Sequence, residues 1–92
     1  MTEQELLEKV KEMTNYTSEY HNKFLSGWIS EAKGLLADSG VNDTYLNSDC
    51  SGIVSLIITD IVDNNGASLS DADSLINKRI SQIAFTHPRK EV

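Results

Sequence analysis

The sequence IVSLIITDIV, residues 53–62, decides whether this chain is all-helical or contains a β-strand. Its many β-branched residues favour a strand, whereas the spacing of Ile53, Ile57 and Ile61 favours a helix. No second strand-like segment is present to pair with it, and an unpaired strand leaves its backbone hydrogen-bonding groups unsatisfied. We therefore predict a helix from about Cys50 to Asn64.

The predicted 50–64 helix is apolar on most of its sides, because Leu56 and Val62 extend its surface beyond a single stripe. Helices of this kind are usually central in a bundle. Ser48 or Asp49 is the expected N-cap, since a short polar side chain accepts hydrogen bonds from the free N–H groups of a first turn.

Three further helices are predicted from their apolar periodicity and from the polar residues at their starts. Thr2 and Glu5 have the spacing of a capping box, and Gly40 is the expected left-handed residue after the second helix. Ser70 is the expected cap of the last helix. The predicted bounds are about Glu3–Met13, Thr17 or Ser18 to Asp38, and Asp71–Phe85, with a helical turn in the connector of residues 41–49.

The predicted fold is all-α: a small bundle of four main helices with a short connector turn and a flexible C-terminal tail. Residues 1–85 form the helical domain. Residues 86–92, THPRKEV, form a basic tail in which Pro88 prevents the last helix from continuing. The expected core consists of apolar residues at helical spacing, namely Leu7, Val10, Phe24, Trp28, Leu35, Ile53, Ile57, Ile61, Ile76 and Ile80.

Charge and composition exclude several classes of protein. The 92 residues carry a net charge of −6, divided into −9 over residues 1–77 and +3 over residues 78–92. An acidic protein is poorly suited to sequence-independent binding of nucleic acid, which depends on clustered cations. A single cysteine, Cys50, cannot form an internal disulfide, which suits a reducing compartment. The acidic N-terminus and the short apolar runs predict neither a signal peptide nor a transmembrane helix.

The tripeptide Asp73-Ser74-Leu75 is the one with which acyl carrier proteins present the serine that receives phosphopantetheine. A carrier has two more helices after that serine, whereas only 18 residues follow Ser74. A helix capped by Ser70, with Asp71 and Asp73 near its positive end, is a simpler explanation. We therefore predict that Ser74 is an ordinary first-turn residue without a prosthetic group, and the carrier function is only a remote alternative.

No catalytic, cofactor-binding or metal site is predicted. His21 and His87 are far apart in sequence and have no metal-ligand spacing with a cysteine or an aspartate. Cys50 lies on an apolar helical face, where a lone cysteine usually packs. A helix-turn-helix is excluded because Asp71 and Asp73 would face the phosphates of DNA.

Four basic residues are candidate contacts with another subunit or another protein: Lys78, Arg79, Arg89 and Lys90. Arg79 lies within the predicted apolar stripe of the last helix, which consists of Ala72, Leu75, Ile76, Ile80, Ile83 and Ala84. An arginine in that position extends its charged end to water, or pairs with an acid within the subunit or across an interface. The tail is expected to add nothing to the core and to bind a partner, with a solvated terminus as the alternative.

The order of several sequence segments resembles that of a known family. This order is more informative than any single motif in the chain. LLEKVKEMT is followed by WISEAKGLLADSGV, LNSD, GIVSLIITDIVDN and LINKRISQIA. This order, over about residues 3–84, resembles the small head–tail connector proteins (head-completion or adaptor proteins) of long-tailed phages and Gram-positive prophages.

The resemblance implies a non-enzymatic virion protein at the head–tail junction, made in the host cytoplasm. It implies a ring of about twelve copies under the portal protein, which extends the DNA channel and joins the next tail-side connector or stopper protein. DNA would pass through without sequence-specific binding, and neither a cofactor nor a membrane is implied. The alternative is a monomeric or dimeric helical interaction module, such as a small phage or host regulator.

Overall fold

The computed structural model describes residues 1–89. The regular elements in that range are six helices, and the range contains no strand. They are α1 (Glu3–Thr14), α2 (Glu19–Asp38), α3 (Asp43–Leu46), α4 (Ser51–Asn64), α5 (Ala67–Ser70) and α6 (Leu75–Thr86). The all-α fold and its four main helices are confirmed, and the helical turn predicted in the connector is α3. The second short helix, α5, is not predicted by the sequence.

Helix α4 is central, because α1, α2, α5 and α6 all pack against it. Ile53, Val54, Ile57 and Ile58 are at most 2% exposed. Burying a side chain of this size contributes about 1.5–3 kcal/mol. That gain exceeds the cost of a β-branched residue in a helix, which is below about 0.7 kcal/mol. The helix predicted from residues 53–62 is therefore confirmed.

The first two helices begin at the predicted caps. Thr2 Oγ1 accepts a hydrogen bond from the Glu5 N–H at 3.1 Å, and Glu5 Oε1 accepts one from the Thr2 N–H at 3.2 Å. The Ser18 hydroxyl accepts a hydrogen bond from the His21 N–H at the start of α2. These bonds satisfy N–H groups that have no partner within their helix.

Helix α2 ends at a left-handed glycine, as predicted. Gly40 has a φ of +98°, a conformation that glycine adopts without steric cost. Its N–H donates to the Ala37 carbonyl, and the Val41 N–H donates to the Leu36 carbonyl. This Schellman motif turns the chain so that Val41 enters the core.

Asp49 organises the start of α4 from just outside the helix. Its Oδ1 accepts hydrogen bonds from the N–H and the hydroxyl of Ser51, whereas Cys50, the N-cap residue, makes no side-chain capping bond. Asp49 Oδ2 lies 2.6 Å from Lys9 Nζ of α1. The hydrogen bonds from Lys9 and Ser51 lower the pKa of Asp49 to about 2.

The predicted start of the last helix is wrong. The structure has α5 at residues 67–70, then a turn, and α6 begins only at Leu75. The Ser70 hydroxyl donates back to the Gly66 carbonyl instead of capping a helix, and Asp71 adopts an extended backbone conformation. Ser74 is the N-cap, since its hydroxyl accepts a hydrogen bond from the Asn77 N–H.

Nine of the ten predicted core residues lie in the core or against it. Val10, Ile53, Ile57 and Ile80 are buried, and Leu7, Trp28, Leu35, Ile61 and Ile76 are partly buried against them. The prediction for Phe24 is wrong, because its side chain is 45% exposed. Leu25 faces the core, and Phe24 is rotated from it by about 100° around the helix.

Residues 87–89 fold back onto the end of α2. The His87 carbonyl accepts a hydrogen bond from the Asn42 N–H at 2.9 Å, and the Arg89 N–H donates to the Gly40 carbonyl at 2.7 Å. Pro88 forms an isolated antiparallel bridge with Val41. Residues 87–89 do not lie in the buried core, as the sequence predicts, but their backbone hydrogen bonds join them to the residues that follow α2.

Candidate interaction surfaces

The outward side of α6 combines apolar and basic residues. Leu75, Lys78, Arg79, Gln82 and Phe85 are all exposed and span about 120° of the helix surface, opposite the buried Ile80. We call these five residues the α6 outer face. Leu75 and Phe85 are 80% and 86% exposed, although the sequence pattern assigned Leu75 to the buried stripe.

The two basic residues of this face have no acidic partner within residues 1–89. The ion pair found in that range joins Lys9 to Asp49. Arg79 is exposed, and no acidic side chain within residues 1–89 forms an ion pair with it. Of the three arrangements predicted for this arginine, a charged end in water or a partner on another molecule fits the structure.

Arg89 binds its own chain. Its guanidinium Nη2 donates a hydrogen bond to the Ala37 carbonyl, one of the last carbonyls of α2. A positive charge at a helix C-terminus is favourable because unpaired carbonyls concentrate negative charge there. Arg89 therefore closes the end of α2, whereas Lys90, the other predicted tail contact, lies outside the described residues.

The outward side of α1 is acidic. Glu5, Glu8 and Glu12 are exposed and lie within about 60° of one another around the helix, opposite the buried Val10. We call these three residues the α1 outer face. Lys9 is adjacent to it in sequence but is engaged with Asp49.

An aromatic row follows the exposed flank of α2. Tyr20 is 64% exposed and meets Phe24 edge to face at 5.3 Å between ring centroids, and Phe24 meets Trp28 at 5.7 Å. His21 stacks on Tyr16 at 4.5 Å. Trp28 is partly buried against the core and Phe24 is exposed, so the row runs from the edge of the core to the surface.

The reactive side chains do not converge. In residues 1–89 no cluster of three or more histidine, cysteine or acidic side chains has the geometry to hold a metal ion. His87 packs against Tyr45, whereas His21 stacks on Tyr16, so the two histidines have different neighbours. Cys50 is fully buried, and burial raises the pKa of its thiol. A protonated thiol of this kind is a poor nucleophile.

The hydroxyl of Ser74 is occupied by structural hydrogen bonds. It donates to the Ser68 carbonyl at 2.6 Å and accepts from the Asn77 N–H at 3.2 Å. Attachment of a phosphopantetheine group would replace the hydroxyl hydrogen and remove the bond to Ser68. The geometry accounts for Ser74 as a cap without any modification.

Two open grooves lie along α2. One, of about 380 Å³, runs between α1 and α2 beside Leu7 and Lys33. The other, of about 710 Å³, lies between the second half of α2 and α5, beside Leu35 and Leu69. Serines and charged side chains line both grooves, but within residues 1–89 none of these serine hydroxyls is hydrogen-bonded to a side chain that could act as its base.

Comparisons with protein-family models, curated proteins and solved structures give no match for this chain. Among the described residues, no helix has the length and apolar character needed to span a bilayer.

Proposed function

We propose that this chain is a structural adaptor of a phage virion, which assembles as a ring under the portal, extends the DNA channel and joins head to tail. The observation that carries the proposal is the presence of two unlike outward faces on one small helical module. The α1 outer face is acidic, and the α6 outer face is basic and apolar. Closed rings of one subunit need unlike surfaces that meet head to tail.

The order of sequence segments over residues 3–84 gives independent support, since it resembles that of head–tail connectors. A net charge of −6 also suits a channel for DNA. Cationic side chains bind DNA by displacing the counterions of its phosphates into solution, so a wall that is mainly acidic leaves DNA free to move.

The test is binding to a portal protein from the phage or prophage genome that carries this chain. The full-length protein, the portal and their mixture are compared by sedimentation velocity, and the mixture is imaged by electron microscopy. The proposal expects an added ring at one end of the portal. A mixture in which both proteins sediment separately, at protein concentrations where the isolated chain is folded, would refute it.

The exposed aromatic row of α2 favours a second candidate, a monomeric or dimeric helical interaction module. Tyr20, Phe24 and Trp28 offer the kind of surface into which a partner helix docks. Substitution of Tyr20 and Phe24 by serine separates the candidates. If the chain is an interaction module, this variant loses its partner. If the chain is the adaptor, the variant still forms a ring on the portal, because the α1 and α6 outer faces are unchanged.

A further inference from the structure

We propose that two copies of this chain associate head to tail, with the α1 outer face of one copy on the α6 outer face of the next. The inference deepens the proposed function and rests on it only for closure of the ring on a portal. The contact itself needs no other protein.

The composition of the α6 outer face favours an acidic partner with an apolar margin. Lys78 and Arg79 lie between Leu75 and Phe85, which are ten residues, or about 15 Å, apart along the helix. Single exposed apolar residues are ordinary. Here two large ones flank a basic pair that has no counterion within residues 1–89. A partner that covers Leu75 and Phe85 also excludes water from Lys78 and Arg79 between them. An ion pair with either cation is stronger when water is excluded.

The α1 outer face is the acidic surface of matching form. Glu5, Glu8 and Glu12 extend over seven residues, or about 10 Å of helix, which fits between Leu75 and Phe85. Glu8 is held in place by a hydrogen bond from Gln4. Carboxylates at this spacing can reach Lys78 and Arg79 together.

Charge excludes two-fold pairing through either face alone. Two α6 outer faces would bring two lysines and two arginines into one contact, and two α1 outer faces would bring six carboxylates into one contact. Like charges brought together across an interface are strongly unfavourable. Only the pairing of unlike faces is complementary, and that pairing is heterologous.

The two faces lie on different flanks of α4. Ser55 of α4 donates a hydrogen bond to Met13 Sδ of α1. Asp60, about 140° further around α4, accepts hydrogen bonds from α5, which precedes α6. Each copy therefore offers one face on each flank, and the contact can repeat from copy to copy.

Sedimentation of the full-length protein without portal tests the contact. The wild type is expected to associate increasingly with concentration at low salt and less at high salt. Lys78→Glu should weaken association by at least about tenfold, and so should Glu8→Lys. The double variant, Lys78→Glu with Glu8→Lys, should recover association because the charges are exchanged.

Lys23→Glu is the matched control, since Lys23 is an exposed lysine on α2 outside both faces. Circular dichroism verifies that each variant is folded. A wild type that stays monomeric, an equal loss in Lys23→Glu, or a double variant that does not recover would overturn the contact. Association without portal binding would instead refute the virion role and leave the contact, and portal binding that ignores these charges would do the reverse.

Discussion

Asp60 and Asn77 bind α5 from two other helices, α4 and α6. The Asp60 carboxylate accepts hydrogen bonds from the N–H groups of Ser68 and Leu69, at 3.2 and 3.0 Å. The Asn77 amide donates to the carbonyls of Ser68, Leu69 and Asp71, at 3.2, 3.0 and 2.7 Å. A four-residue helix is unstable by itself, so these two side chains supply the partners that its backbone lacks.

Replacement of Asp60 by asparagine should destabilise the fold by about 1–3 kcal/mol. The amide has one acceptor oxygen for the backbone N–H groups that the carboxylate now holds, so a buried polar group loses its partner. Urea unfolding followed by circular dichroism measures the change. Asp73→Asn is the control, because Asp73 is exposed and its replacement should change the free energy of unfolding only slightly. Equal losses in the two variants would contradict this role of Asp60.

Acid should weaken the fold through Asp60 and Asp49. Burial by itself raises the pKa of Asp60, but the hydrogen bonds from Leu69, Ser68 and Asn64 outweigh it and hold the pKa below its usual range. The pKa of Asp49 lies at about 2. Each carboxyl has a lower pKa in the folded state than in the unfolded chain, where it is about 3.9. The stability that they contribute is therefore present above that value and lost as pH falls towards the folded pKa.

Unfolding measured between about pH 5 and pH 2 checks this expectation. The free energy of unfolding of the wild type should decline over the range, and Asp60→Asn should decline less. Parallel curves for the two proteins would show that Asp60 does not contribute to acid sensitivity.

Deletion of residues 87–92 should lower the free energy of unfolding by about 1.5–4.5 kcal/mol. Two backbone hydrogen bonds and the Arg89 contact with the end of α2 are lost, and each contributes about 0.5–1.5 kcal/mol. Deletion of residues 90–92 alone is the control, because it leaves the contacts of residues 87–89 in place. Thermal and urea unfolding of the three proteins decide the matter, and an unchanged stability in the longer deletion would contradict the role of residues 87–89.

Cys50 should resist thiol reagents while the protein is folded. Its side chain is inaccessible and its pKa is raised by burial, so little thiolate is present and none is exposed. Absorbance after addition of an aromatic disulfide measures the rate of reaction. Gln82→Cys adds an exposed thiol that should react at once, and denaturant should expose Cys50. Rapid reaction of the native wild type would contradict its burial.

Ser74→Ala should destabilise the protein by about 0.5–2 kcal/mol, as expected for loss of a helix N-cap. Ser70→Ala should cost less, because the Ser70 hydroxyl only bonds back to Gly66. Urea unfolding of both variants distinguishes them. A larger loss at Ser70 would return the cap to the position predicted from sequence. Intact mass after treatment with a phosphopantetheinyl transferase checks that Ser74 stays unmodified.

Sequence patterns predicted the parts of this fold that depend on neighbouring residues. The caps at Thr2 and Ser18 and the left-handed Gly40 each act within one turn of chain. Helix α5 could not be predicted in this way, because it is too short for periodicity and its partners, Asp60 and Asn77, lie on other helices.

The candidate faces were predicted only in part. Lys78 and Arg79 are exposed as a contact residue must be, but Leu75 was assigned to the core stripe. Helix α6 has apolar residues on two sides. The 3.6-residue period identifies both stripes but does not indicate which of them faces the core. The basic tail predicts that Arg89 contacts another molecule, and its actual partner, Ala37, is too remote in sequence to be recognised from the pattern.

The contact between Arg89 and Ala37 also bears on folding kinetics. The two residues are 52 positions apart, and closing a loop of that length is entropically costly until the chain between them is compact. We expect such a contact to form after the rate-limiting step, so its loss should accelerate unfolding and leave the folding rate nearly unchanged. On this expectation, the contact at the end of α2 affects how long each folded molecule persists more than how quickly it forms.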